Sequence, residues 1–210
     1  MLSIAFPLAL SAYARSALNT FRQLLVPRGL RASGLSATAA LSGYGIINGM
    51  AMPILTFPTC LPTALAELLV PALTEAQVRG EQEYIRRSVT RLLGQTFLFS
   101  LGFGIFFYVS ADALAWYIYK DLSAARFIRL LAPMLPFLYT DIVTDGCLKG
   151  LGQMMRSMTF NIAEAALGLL LVWTLLPRWA LGGYLFVLYA CEIFNFALSV
   201  HRLWQIAIRK

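Results

Sequence analysis

Charged side chains are scarce in this chain. Only 13% of its 210 residues are Asp, Glu, Lys or Arg, about half the ~25% usual in soluble domains. Hydrophobic residues make up 59%, and the mean hydropathy is +0.70. One soluble core of this size has no room for that much apolar surface. The composition therefore excludes a soluble globular fold and implies a bilayer.

Histidine is scarcer still. The single one, His201, stands at the end of the last apolar run, where an interfacial polar role suits it better than catalysis. The three cysteines, Cys60, Cys147 and Cys191, are odd in number, have no C-x-x-C spacing and lie in apolar surroundings. They read as small buried hydrophobes. The sequence nominates no metal site and no cofactor. It also lacks a Walker A loop, an HExxH or GxSxG motif and any nucleophile–base pair, so no catalytic residue is nominated and no enzyme is expected. The net charge of +7 gathers at the ends of apolar runs, where anionic lipid and the positive-inside rule account for it. No aromatic–basic face or nucleic-acid module accompanies it, so nucleic acid is not expected as a partner.

What the chain does have is about six apolar runs long enough to cross a bilayer. Residues 1–14 end in Ala12-Tyr13-Ala14, which mimics a signal-peptidase site, but no basic segment precedes them. They read as the first half of a span, with a cleaved leader as the alternative. The expected spans are residues 2–25, 49–70, 92–111, 127–147, 158–176 and 181–204, within a single domain of residues 1–210. Residues 32–66 carry no charge, more than the ~20 that one span needs. A re-entrant or interfacial piece near residues 36–47 is expected before the second span; two separate spans are the alternative. Residues 74–91 are polar, and Thr74 with Gln77 matches a capping box. An amphipathic helix on the membrane surface is expected there, with a plain solvated linker as the alternative. Trp116, Tyr117, Tyr119 and Lys120 suit an interfacial belt. With six spans, Lys and Arg divide nine to seven, which places both termini in the cytoplasm.

Ionisable residues interrupt these runs. Arg15, Asp141, Asp145, Glu164 and Glu192 lie within or beside them. A charge at the centre of a bilayer costs about 2.5–3.5 kcal/mol on insertion scales, so such residues usually face a cavity or a partner. Asp141, Asp145 and Lys149 recur every four residues and share one helix face. They suit a proton or cation site, or a structural ion pair. Arg15 suits a pyrophosphate or carboxylate ligand, or an acidic side chain of another span. Glu164 and Glu192 either line a cavity or are packed and protonated. Pro53 and Pro58 interrupt the second span and Pro133 and Pro136 the fourth, as tolerated kinks or as gating bends.

The order of short motifs resembles a known group. Phe57-Pro58-Thr59, followed by Leu69-Val70-Pro71-Ala72-Leu73-Thr74-Glu75-Ala76, resembles the FP…LVPAxSEA signature of oligosaccharidyl-lipid flippases. Leu148-Lys149-Gly150-Leu151-Gly152-Gln153 resembles their L-x-G-L-G-Q turn. Pro177 with Leu181-Gly182-Gly183 resembles their P-x-x-G-(I/L)-x-G hairpin, with Ala180 where the first glycine belongs. The chain as a whole resembles the multidrug/oligosaccharidyl-lipid/polysaccharide flippase superfamily, nearest to stage V sporulation protein B and related polysaccharide biosynthesis membrane proteins. The resemblance implies an all-α membrane protein: a six-transmembrane-helix bundle like the carboxy-terminal lobe of a two-lobed, alternating-access flippase of about 12–14 helices. It implies a lipid-linked glycan substrate, membrane lipids as surroundings, the bacterial cytoplasmic membrane, and a missing amino-terminal lobe or a second copy as partner. The acidic–basic pair that lipid II flippases tend to carry before the FP motif is replaced by Met52 and Pro53, which leaves the substrate open. A cation-coupled multidrug extruder lobe and a non-transporting membrane scaffold are the alternatives.

Overall fold

The computed structural model describes residues 2–34 and 36–208. Met1, which opens the leader-like run, and Arg209 and Lys210, which enter the orientation count, lie outside them. Among the described residues all regular structure is helical and there is no strand. The elements are α1 (Leu2–Ala32), α2 (Ala37–Gly45), a π-helical stretch (Ile46–Ala51), α3 (Met52–Thr56), a 3-10 turn (Phe57–Thr59), α4 (Cys60–Val78), α5 (Gln82–Tyr119), α6 (Ser123–Leu131), a 3-10 turn (Ala132–Met134), α7 (Leu135–Gly150) and α8 (Met154–Leu203), which runs into a final π-helical stretch (Trp204–Ile208).

Four helical runs are long and apolar enough to cross a membrane: Thr38–Arg79, Gln82–Tyr119, Ser123–Gly150 and Met154–Ala207. Helix α1 is not among them. Its middle carries Arg15, Ser16, Asn19, Thr20, Arg22 and Gln23.

The chain breaks helical geometry where the backbone takes positive φ. Gly34, Gly80, Lys120, Gly152 and Ala180 are the described residues that do so. At Gly80 the break is a Schellman cap: the Glu81 N–H donates to the Ala76 carbonyl at 3.0 Å and the Gly80 N–H to Gln77 at 3.2 Å. Gly152 repeats it, with Gln153 N–H donating to Leu148 at 2.8 Å. Ala180, at φ 50° and ψ −132°, divides α8 into two limbs. Cys191 Sγ lies 3.9 Å from the Glu164 carbonyl. A straight helix would separate residues 27 apart by about 40 Å, so the limbs fold back on each other.

Two expectations are corrected here. Residues 36–47, expected as an interfacial or re-entrant piece ahead of the second span or as a span of their own, are not set apart from the helix that follows. Ser36 caps α2 by accepting from the Ala39 N–H at 3.2 Å, and the helical run continues to Arg79. Residues 74–91 are not one surface helix, because the Gly80 turn divides them between α4 and α5. Thr74 is no N-cap either; its hydroxyl lies inside α4, 2.7 Å from the Val70 carbonyl and 2.8 Å from that of Gly150.

Pro53 and Pro58 interrupt the helical run without ending it, and other helices serve carbonyls around them. Pro53 has no N–H to offer Gly49 one turn earlier. Tyr119 supplies a hydroxyl there, 3.5 Å from Gly49 O and 3.2 Å from Met50 O. The 3-10 turn around Pro58 leaves Leu55 O, which accepts from the buried Tyr139 hydroxyl at 2.7 Å. Pro133 lies in the second 3-10 turn, and Pro136 opens α7.

Helix α7 is the centre of the bundle, packing against α4, α5 and α8. Eleven of its 16 residues are buried. Its approach to α4 depends on glycine: a Cβ on Gly146 would lie 2.6 Å from Ala66 Cβ. Around it, Leu98, Leu101, Ile105 and Val109 of α5 and Leu61, Leu65 and Leu68 of α4 are exposed, as lipid-facing side chains are. Lys120 Nζ sits 5.8 Å and 5.7 Å from the Trp116 and Tyr117 ring centroids. In the adjoining turn the Ser123 N–H and hydroxyl, both donating at 2.8 Å, hold the Asp121 carboxyl below its ordinary pKa.

Candidate functional site

A cavity of about 350 Å³ opens between α1, α4, α7 and the two limbs of α8. Arg15, Asp141, Asp145, Glu164 and Glu192 all line it, joined by Glu67 and Lys149 and by Asn161 and Asn195. Four helices therefore bring together ionisable groups spread over 178 positions of sequence (Arg15 to Glu192).

Some of these charges are spoken for. Lys149 Nζ lies 2.6 Å from Asp145 Oδ2, and the buried Ser157 hydroxyl donates to the same carboxylate. Arg22 Nη1 lies 3.4 Å from Glu164 Oε1, with both side chains mostly shielded. Gly168 leaves room beside this pair, since a Cβ there would meet Arg22 Nη1 at 2.9 Å and Cys191 Sγ at 3.0 Å.

Others are not. Asp141 is 9% exposed, and its Oδ2 accepts from Asn195 Nδ2 at 2.8 Å. The buried Ser199 hydroxyl also faces this carboxyl, yet among the described residues Asp141 Oδ1 and Asn195 Oδ1 have no partner at hydrogen-bond distance. A buried acceptor left unmatched costs about 1–3 kcal/mol, which two oxygens at one cavity wall would recover with a donor or cation between them. Among the described residues, Arg15, Glu67 and Glu192 form no ion pair. Once the two pairs are set aside, the cavity holds three carboxyl groups and one guanidinium.

A second cavity, of about 440 Å³, adjoins the first along α1. It shares Arg15 and Asn161 and is otherwise lined by Ser11, Ala12, Ser16, Asn19, Thr20, Gln23 and Met158. Asn161 and Asn195 are site residues that do not stand out in the sequence. Their signal was an uncharged amide inside an apolar run, easily passed over beside the acids.

An all-helical chain with long, lipid-compatible helices around a charged cavity is a multi-pass membrane protein of the transporter class. The comparisons narrow that class: the MatE family model matches residues 16–174, and the chain belongs to this family of membrane transporters, within the multidrug/oligosaccharidyl-lipid/polysaccharide flippase superfamily. The matched stretch includes Asp141, Asp145 and Glu164; Arg15 and Glu192 fall outside it.

Two curated proteins of Bacillus subtilis (strain 168) are similar. Sporulation protein YkvU is 24% identical over 179 residues, covering 83% of this chain and 39% of the relative. Stage V sporulation protein B is 26% identical over 183 residues, covering 87% of this chain and 35% of the relative. The chain thus spans well under half the length of either relative. No solved structure matches it significantly.

Proposed function

We propose that this chain forms a lobe of a flippase that moves a lipid-linked oligosaccharide, a precursor of cell wall, cortex or polysaccharide, across the bacterial cytoplasmic membrane by alternating access. The observation that carries the reading is the convergence of Arg15 with Asp141, Asp145, Glu164 and Glu192 on one cavity inside the bundle. A polar path through an apolar protein is what an amphiphilic anion needs to change leaflets. Arg15, without an ion pair among the described residues, meets the phosphate. Asp141 and Asp145 line the path and respond to charge within it. The bends at Pro53, Pro58, Pro133 and Pro136 act as hinges between inward-facing and outward-facing states.

In this reading the bundle crosses the membrane six times, with both termini cytoplasmic. The breaks at the five positive-φ residues support that count. The partner across the cavity is an amino-terminal lobe or a second copy, a proposal supported by the relatives' greater length. The test is transport of a labelled polyprenyl diphosphate glycan in proteoliposomes, with the protein in its full-length context. Arg15→Ala and Asp141→Asn should each reduce the rate at least tenfold. Unchanged rates would remove both residues from the path.

The surplus of carboxyl groups in the cavity favours a second reading, a cation-coupled extruder lobe in which Asp141, Glu164 and Glu192 carry protons or sodium. Drug efflux that follows a sodium or proton gradient, with no glycolipid transport, would select it. A bundle that moves neither class of substrate would be a membrane scaffold.

A further inference from the structure

We propose that the polar cleft between the middle of α1 and the start of α8 is a glycan subsite, taking an uncharged sugar of the substrate while Arg15, which the cleft shares with the first cavity, meets the phosphate. The inference rests on the flippase reading and narrows it.

The lining of the cleft matches the chemistry of a sugar. Apart from Arg15, the polar groups of the cleft are the hydroxyls of Ser11, Ser16 and Thr20 and the carboxamides of Asn19, Gln23 and Asn161. Each both donates and accepts, as a sugar hydroxyl does. No carboxylate and no lysine is present. The cavity's 440 Å³ falls in the range of about 300–1,000 Å³ typical of small-molecule sites.

Part of the cleft's hydrogen-bonding capacity is unused. Asn19 and Gln23 have no partner among the described residues. The Thr20 hydroxyl spends its hydrogen on the Ser16 carbonyl at 2.9 Å, and Asn161 Nδ2 donates to the Ser157 carbonyl at 2.9 Å. Both keep an oxygen able to accept.

The helix itself is two-sided. Arg15 and Asn19 are four residues apart, and Ser16, Thr20 and Gln23 run beside them, on one side of α1. Leu10, Tyr13, Phe21 and Leu24 are the large exposed apolar residues of the same stretch. Polar groups turned to hydrocarbon would be costly, so this side faces water or a ligand.

Charge orients the ligand. Arg15 is the one cationic side chain lining the cleft, and it lies where the carboxyl-lined cavity meets that neutral cleft. A phosphate held at Arg15 therefore directs the attached sugar toward Asn19 and Gln23.

The test measures binding of two probes to the full chain in nanodiscs: a short polyprenyl diphosphate, and the same lipid bearing a neutral disaccharide. The double variant Asn19→Ala/Gln23→Ala should weaken the glycolipid about tenfold, the loss of two uncharged hydrogen bonds, and leave the sugar-free lipid within about twofold. Neither side chain is buried and alanine favours helix, so the fold is kept. Arg15→Ala should weaken both probes alike. Equal loss for both probes in the double variant, or no loss for either, would overturn the subsite and leave the flippase reading standing. Wild-type protein that binds neither probe would overturn both.

Discussion

Replacing Ala180 by glycine should stabilise the protein. Ala180 holds φ 50° and ψ −132°, close to the first central position of a type II′ turn, which glycine dominates. An L side chain there brings its Cβ against the backbone and costs about 1–3 kcal/mol. Glycine removes that cost but adds about 0.4–1 kcal/mol of freedom to the unfolded chain. The balance is a gain of about 0.5–2 kcal/mol. At about 2–4 °C per kcal/mol for a chain of this size, Tm should rise by roughly 1–8 °C. The assay is thermal unfolding in detergent followed by size-exclusion fluorescence. Ala180→Val, with a branched Cβ, should move the other way. A glycine variant no more stable than wild type, beside a valine variant equally unaffected, would refute the strained turn and with it the folding-back of α8.

Gly146→Leu should disrupt the contact of α4 with α7, where even one added carbon would come 2.6 Å from Ala66 Cβ; Gly146→Ala should cost about 1–3 kcal/mol, read as a lower Tm. Tyr139→Phe leaves the Leu55 carbonyl without its 2.7 Å hydrogen bond and should cost about 1–3 kcal/mol, with faster hydrogen exchange around Pro58 than elsewhere in α4. The Asp121–Ser123 turn should be present at neutral pH and lost in acid. The folded carboxyl is held below its ordinary pKa, so its contribution is complete above the unfolded value and disappears as pH falls through the folded one. Amide exchange at Ser123 across an acid titration measures this, and Asp121→Asn should flatten the dependence.

The sequence shows the helical, membrane-embedded character plainly, because 13% charge and long apolar runs leave few other solutions. It also picks out the ionisable residues, since a charge inside such a run is conspicuous. Their convergence was not legible: the packing of α1, α4, α7 and α8 that brings Arg15 to Glu192 is a tertiary fact. The Gly80 turn was hidden because Thr74 and Gln77 imitate a helix start, although Gly80 itself carried the signal. Pro53 and Pro58 looked like breaks. Tyr119 and Tyr139, more than 65 residues away in sequence, serve the freed carbonyls and keep the run helical. Ala180 is the reverse case: the hairpin motif pointed to a glycine-like position, and the backbone there takes the conformation that glycine favours.

The measurement closest to the central claim is leaflet-to-leaflet transfer of a fluorescent polyprenyl diphosphate glycan in proteoliposomes, comparing wild type with Arg15→Ala. The account predicts transfer by the wild-type protein and a loss of at least tenfold in the variant, with Tm unchanged. Equal transfer by both proteins, or none by either beside gradient-driven efflux of an unrelated cation, would contradict it.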